Sequence, residues 1–533
     1  MFAQDLFRSG RWHRAIDEFS IINGPSVGSI GDTSALVSWE MSEACSGQVE
    51  YGTTSGSYTD TTTEEPITGG YAAHAQSLTG LTTDTTYYGR TKSVSAASVT
   101  VYSGEFTFDT TGVSVPAAGP RYDFYGAGAG GNWPALPGTY TLVPQSVLDD
   151  PDQASALETW LNDTALVPNG TTVVFDRTEL GVGTTYTFDT SVQLNHGTSV
   201  ARNGITLWMY NCKFIHTTAS PPGGNIDAPH FYFRLGGWTN LTIQGGEFEG
   251  PNTAAGTNAC RTIGGEFGHA LCFQPNFDGV IIQDCWMHAL TGEGVYVYNS
   301  DSANAYSGQT YPADMEISYN LISGTGRQGV AVQQGDDYDI KYNIIEDVAL
   351  WPFDSEDTVA GTDRVLTNVS ITYNIFRRWN WHIQSATDWY RSLPIAFVQR
   401  TGEIDTVSDI TISDNTFQQG ARGYGDPEAE AAYGLASGDL SNGLDPVIVI
   451  GAPWGTGFPA INNITITDNT FDLDPDQQGT AASPAGQRGE AIIVRNGHTV
   501  TITGNSIHDK CIWLDACTGV TQNTNGSGTV YET

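Results

Sequence analysis

At 533 residues the chain is long enough for two or three domains with ample core. Its 59 acidic residues against 22 basic ones leave a net charge of −37, which argues against nucleic acid or an anionic membrane as partner. No stretch is apolar for long enough to span a bilayer, so membrane insertion is not expected either.

Residues 1–20 carry Phe2, Leu6, Trp12, Ile16 and Phe19 beside Arg8, Arg11 and Arg14. This partly helical spacing gives an apolar side that needs a partner, and it lacks the continuous apolar segment of a signal peptide. The segment is read as an anchor onto other proteins of an assembly.

Residues 21–112 alternate apolar and polar in short runs between Gly/Ser/Thr turns: Ala35-Leu-Val-Ser-Trp39, Gln48-Val-Glu-Tyr51, Tyr87-Tyr88 and Gly104-Glu-Phe-Thr-Phe108. Such runs predict a small β-sandwich. Gly80-Leu81 followed by Thr85-Thr-Tyr87 resembles the tyrosine corner of fibronectin type III domains, with Trp39 in the place of their buried tryptophan. The resemblance implies a spacer or adaptor. Residues 113–139 are rich in Gly, Ala and Pro and read as a linker. Within 151–162, Asp152 stands as N-cap before a helix with Leu157, Trp160 and Leu161 on one side. A helix there would close the first coil of a solenoid, whose end is otherwise an open sheet edge.

Residues 140–533 are dominated by a phrase used eight times. Asn463-Ile-Thr-Ile-Thr-Asp-Asn469-Thr-Phe471 is the clearest copy; 368–376 and 409–417 nearly duplicate it, and weaker copies start at Asn240, Gly279, Asp314, Asp337 and Thr499. In six copies the seventh position is asparagine: Asn320, Asn343, Asn374, Asn415, Asn469 and Asn505. Alternation ending in a turn-forming asparagine describes a strand that enters a corner. The tightest spacing, 23 residues from Asp314 to Asp337, fits one coil of strands. The pattern resembles the right-handed parallel β-helix of pectate lyases, polygalacturonases and phage tailspikes. The fold class expected is therefore all-β, a right-handed parallel β-helix behind a fibronectin type III-like sandwich. That resemblance specifies architecture and leaves chemistry open.

A second strand precedes most copies, and stacking these strands builds columns. Phe231, Leu271, Val295, Val330, Ala396 and Ile448 run along one inward column, and Phe233, Phe273, Val297, Val332, Val398 and Ile450 along the other. Between them an outward column runs Tyr232, Cys272, Tyr296, Ala331, Phe397, Val449, Ile493, Trp513. An outward column so apolar needs cover, so a homotrimer interface or an inserted loop is expected over it, or else a glycan platform on Tyr232, Tyr296 and Trp513. A polar column lies beside it: Arg234, Gln274, Tyr298, Gln333, Gln399, Arg495 and Asp515, amides and guanidiniums suited to sugar hydroxyls. His269, Glu293 and Gln328 begin successive strands, with Arg327 adjacent. Acid, imidazole and guanidinium at that spacing would serve a lyase or hydrolase, Glu293 or His269 moving the proton and Arg327 stabilising charge. The same set is also what a hydrogen-bonded turn would need. Asp336 and Asp337 resemble the paired aspartates of polygalacturonases, but that family's Gly-His-Gly and Arg-Ile-Lys motifs are missing and a turn role is expected.

The seven cysteines show no CxxC spacing, and no HExxH or Walker motif occurs, so no metal site or cofactor is expected beyond a structural divalent cation at an acidic cluster. Four lysines against 18 arginines fit a high-GC or high-salt host. Together these readings favour a virion surface spike, anchored by 1–20 and made in the host cytoplasm without a signal peptide, that binds host surface polysaccharide or glycoprotein. A polysaccharide depolymerase and a non-enzymatic capsid or tail decoration are the alternatives.

Overall fold

The computed structural model describes residues 19–28, 30, 34–67, 72–82, 85–110, 117–123, 132–177, 183–194, 202–217, 231–233, 238–252, 268–273, 277–297, 313–355, 364–379, 394–397, 405–419, 447–451, 460–473, 490–507, 511–523, 525 and 529–532. The chain divides into two compact units, Met1–Pro116 and Ala117–Thr533. The expected anchor at 1–20 falls almost wholly outside the described residues. No described helix is long and apolar enough to cross a membrane.

The first unit is a β-sandwich. Ile21–Gly28, Ser34–Met41 and Ala73–Thr79 form one antiparallel sheet. Cys45–Gly52 and Thr86–Ser95 centre the other, where Asp60–Thr61, Thr100–Tyr102 and Phe106–Asp109 pair onto them. Alternation places Val37, Trp39, Val49, Leu78, Tyr87 and Phe108 in the space between the sheets. The Tyr87 hydroxyl accepts the Thr82 backbone N–H at 2.8 Å, the local bond that a tyrosine corner requires. Ala73–Thr79 does not read as a strand in the sequence because two of its inward residues, His74 and Gln76, are polar. His74 is accommodated by Glu65 at 2.6 Å and Cys45 at 3.2 Å, and Gln76 by the Gly47 carbonyl at 3.1 Å.

The second unit is a right-handed parallel β-helix whose coils feed three parallel sheets of 13, 9 and 11 strands. The first sheet holds the repeat phrases, from Trp238–Gln244 to Gly497–Thr503. The second holds the short strands after them, such as Ile344–Val348 and Thr470–Leu473. The third holds short strands such as Val295–Val297 and Val330–Val332. Phrases stack in register, Ile371 on Ile412 and Ile412 on Ile466, so their alternate residues fill one continuous apolar core.

The phrase is dictated by two left-handed backbone positions. Its first residue has φ between 50° and 69° in all eight copies, and its sixth between 56° and 74°. Asn, Asp and Gly tolerate that region best, which accounts for Asn240, Gly279, Asp314, Asp337, Asn368, Asp409 and Asn463 at the first position. The asparagine one place later forms the expected ladder. From Asn320 through Asn343, Asn374, Asn415, Asn469 and Asn505 to Asn525, each side-chain amide donates to the next carboxamide oxygen at 2.9–3.0 Å. In all of these except Asn525, the backbone N–H donates to that same oxygen. The second amide hydrogen reaches an isoleucine carbonyl of the preceding coil, as in Asn415 to Ile371 at 2.7 Å. Asn415 and Asn469 thus share one corner. In the coil below Asn320 the place is taken by Cys285, whose thiol donates to the Gly245 carbonyl at 3.2 Å.

The expected cap is present: helix Gln153–Asn162 starts at Asp152, whose carboxylate accepts the Ser155 N–H at 3.0 Å. Its Gln153 and Glu158 side chains accept the Thr187 and Gln193 N–H groups at the open end of the solenoid. Part of the stretch expected to be a linker is built into this unit. Gly119 N–H donates to the Tyr342 carbonyl (2.7 Å), and Arg121 grips the buried Asp284 carboxylate through Nε (3.0 Å) and Nη2 (2.6 Å). Tyr122 packs on Tyr210, and Trp133 joins Val174 and Trp208. The described residues 117–123 and 132–133 therefore pack against corners of this unit.

Candidate functional site

Three corrections to the stacked columns follow from strand pairing. Phe353–Ser355 is a third-sheet strand between Val330–Val332 and Ile395–Phe397, so Asp354 stands in the outward column between Ala331 and Ala396. In the next coil Ile395, not Ala396, continues the inward column. Phe397 therefore faces the core beside Phe353 and is no glycan contact, because a one-residue shift exchanges the two faces of a strand. Third, the outward column is not bare. Cys272, Tyr296 and Ala331 form one buried cluster, and Ala396, Val449, Ile493 and Trp513 another with Trp351. The column is covered within a single chain, which removes the argument that a trimer must cover it.

Among the expected site residues, the Tyr232 backbone lies in strand Phe231–Phe233 and its side chain is outside the described residues, as are Arg234, Tyr298 and Gln399. The others fall into two groups. Tyr296 accepts from Gln333 Nε2 at 3.0 Å and packs on His269, ring centroids 4.8 Å apart. Arg495 lies over the Trp513 ring at 4.5 Å and meets Asp515 at 3.1 Å. Tyr296 and Trp513 are six pairing steps apart (through Ala331, Asp354, Ala396, Val449 and Ile493). At ~4.8 Å per step that is about 29 Å.

His269, Glu293, Gln328 and Trp351 each stand two residues before a third-sheet strand, so they stack at one corner on consecutive coils. Glycine makes the stack possible: a Cβ on Gly329 would come within 2.5 Å of Ile345 and 2.7 Å of the Pro352 carbonyl. His269 Nδ1 lies 2.5 Å from Glu293 Oε2, and Arg327 Nε 3.1 Å from Glu293 Oε1. Gln328 donates to the buried Asp354 carboxylate at 2.9 Å. Burial works to raise the Glu293 carboxyl, but the Arg327 and His269 charges and the His269 hydrogen bond outweigh it and hold it below the ordinary carboxylate range. The sequence thus brings acid, imidazole and guanidinium together, but not in an open groove. The Glu293 side chain is 0% exposed and that of His269 2%, while Arg327 keeps 13%. Asp336 does not take the expected turn role: it lies in strand Gly335–Lys341 and accepts from Thr367 and Asn368 of the paired strand in the next coil.

A second cluster escaped the sequence reading. On the outer face of the second sheet, Glu247–Glu249 pairs with Trp286–His288 and, on its other side, with Lys213 and Ile215. Lys213 bridges Glu247 and Glu249, His288 Nε2 lies 3.1 Å from Glu247, and Trp286 stacks on His288 at 4.0 Å. Burial tends to raise the Glu247 carboxyl, yet the hydrogen bonds and charges of His288 and Lys213 bring it below the ordinary range. Two carboxylates and an imidazole could ligate a divalent cation, but the Lys213 ammonium already supplies the compensating charge.

No protein family and no curated protein matches this sequence. Solved structures resemble it in fold at low identity. A family 28 exopolygalacturonase of Yersinia enterocolitica is 10% identical, with TM-score 0.37, over 97% of this chain and 98% of its own. A mutant tailspike of E. coli bacteriophage HK620, in complex with a pentasaccharide, is 13% identical with TM-score 0.35, over 72% and 75%. A pectate lyase of Erwinia chrysanthemi, in complex with tetragalacturonic acid, is 10% identical with TM-score 0.14, over 74% and 83%.

Proposed function

We propose that this chain is a glycan-binding β-helix of the virion-spike type, its sandwich a fibronectin type III-like adaptor and its solenoid the shaft that meets host surface polysaccharide. The observation that carries the reading is the buried polar assembly outside the solenoid core, on the outer side of the third sheet: Glu293, His269, Arg327, Gln328 and Asp354. Burying charges costs more than apolar packing of the same volume, so a solenoid gains no stability by placing them there. Rigidly held polar groups of this kind are what a binding surface needs behind it. In this arrangement Glu293 and His269 act as positioning groups that fix Arg327, whose side chain reaches the surface; Arg495 and Asp515 form a separate group four to five coils further along the same sheet.

Cleavage is the second reading, and a substrate would have to reach a carboxylate with no exposed surface; binding is therefore favoured. The virion assignment belongs to the same proposal, and it requires no second copy of the chain. The test is incubation with purified polysaccharides from candidate host surfaces, reading both retention and product size. The expected result is retention without shortening, weakened in Arg327→Gln. Shortening that falls ~10²–10⁴-fold in Glu293→Gln would establish the enzyme instead. Failure to retain any surface glycan would leave the decoration reading.

A further inference from the structure

The surface-reaching cations of the third sheet bear on which sugars they can take. Arg327 is neutralised by Glu293 at 3.1 Å and Arg495 by Asp515 at 3.1 Å. Both guanidiniums are thus paired with carboxylates of this chain. Elsewhere the pattern repeats: Arg121 is held by Asp284, Lys213 by two glutamates, Lys341 by Glu316 and Asp339, and Arg378 by Glu346 and Asp347. Around these pairs lies a chain of net charge −37. Arg495 and Asp515, whose side chains are 17% and 36% exposed, present a donor fork beside an acceptor, next to the Trp513 indole that Arg495 overlies.

We propose that the ligand class is an uncharged saccharide with vicinal hydroxyls, and that the site discriminates against uronic-acid and other anionic polysaccharides. This rests on the glycan-binding reading above. A vicinal diol can accept from the guanidinium and donate to the carboxylate at once, which a sugar carboxylate cannot do beside Asp515. The surrounding negative field opposes approach of a polyanion at low salt, and salt removes that opposition as the Debye length falls from ~10 Å at 0.1 M to ~3 Å at 1 M.

The experiment compares acidic host-surface polysaccharides with their carboxyl-reduced, uncharged counterparts, using the full chain by thermophoresis at about 0.1 M and about 1 M salt. Carboxyl-reduced or natively neutral chains are expected to bind at least about tenfold more tightly than the acidic parent at the lower salt, with the gap closing at the higher. Asp515→Asn is expected to weaken neutral binding about tenfold and to improve binding of the acidic parent. Tighter binding of the acidic parent at low salt would overturn the inference while leaving glycan binding intact. Binding of neither form would overturn both readings.

Discussion

The asparagine ladder gives the sharpest stability prediction. In Asn415→Ala the carboxamide that links three coils is deleted. Its oxygen accepts the Asn374 backbone and side-chain N–H groups at 2.9 and 3.0 Å, and its amide reaches the Ile371 carbonyl at 2.7 Å and the Asn469 oxygen at 3.0 Å. The side chain is almost wholly buried, so water does not replace these bonds, and the Asn374 N–H and Ile371 carbonyl are stranded. At about 1–3 kcal/mol for each stranded buried group, plus the cavity, the loss should be about 3–5 kcal/mol. Asn462→Ala is the control, an exposed asparagine on a first-sheet strand whose one described bond spans 3.5 Å. Denaturant melts should show the difference, and hydrogen exchange should confine the loosening to the adjacent coils, because solenoid coils contact only their neighbours. Equal stability of Asn415→Ala and Asn462→Ala would refute the reasoning.

Other consequences follow from single residues. His216 is fully buried with no hydrogen-bond partner among the described residues, and burial pushes its pKa down to about 4 from 6.5. The unfolded chain then takes up the proton first, so stability is complete above pH ~6.5 and falls by about 3 kcal/mol on acidification toward the folded value. His216→Leu should flatten that part of the pH–stability curve, and an unchanged curve would count against it. Phe397→Ala should cost about 3–5 kcal/mol in a denaturant melt, as for a core phenylalanine, whereas a surface contact would cost almost nothing. With a net charge of −37, the melting temperature should rise between ~0.1 and ~1 M salt; a fall would mean that attractive ion pairs outweigh the net repulsion.

The solenoid was legible because the left-handed first place of its phrase takes Asn, Asp or Gly in seven of eight copies, while its ladder needs a carboxamide at each step. The third sheet was legible only where apolar and polar residues alternate. Ile395-Ala-Phe-Val398 is apolar throughout, so nothing in it fixes which residues face inward, and the Phe397 assignment slipped by one. Phe353-Asp-Ser355 offers a single apolar residue and does not read as a strand, although its pairing partners make it one. The cluster of Glu247, Glu249 and His288 draws on strands about 40 positions apart. It becomes visible only when Glu247-Phe-Glu249 is stacked on Trp286-Met-His288. The triad of His269, Glu293 and Arg327 was found by stacking, but its burial depends on what lies over the sheet, which column arithmetic does not contain.

The central claim, that the outer side of the third sheet is the glycan-facing surface, is tested most directly by hydrogen exchange of the full chain with and without a retained host-surface polysaccharide. The account predicts slowed exchange in peptides covering 268–273, 290–297, 325–334 and 511–517, with 212–216 and 247–249 on the second sheet unchanged. Protection confined to the second sheet or to the sandwich would contradict it.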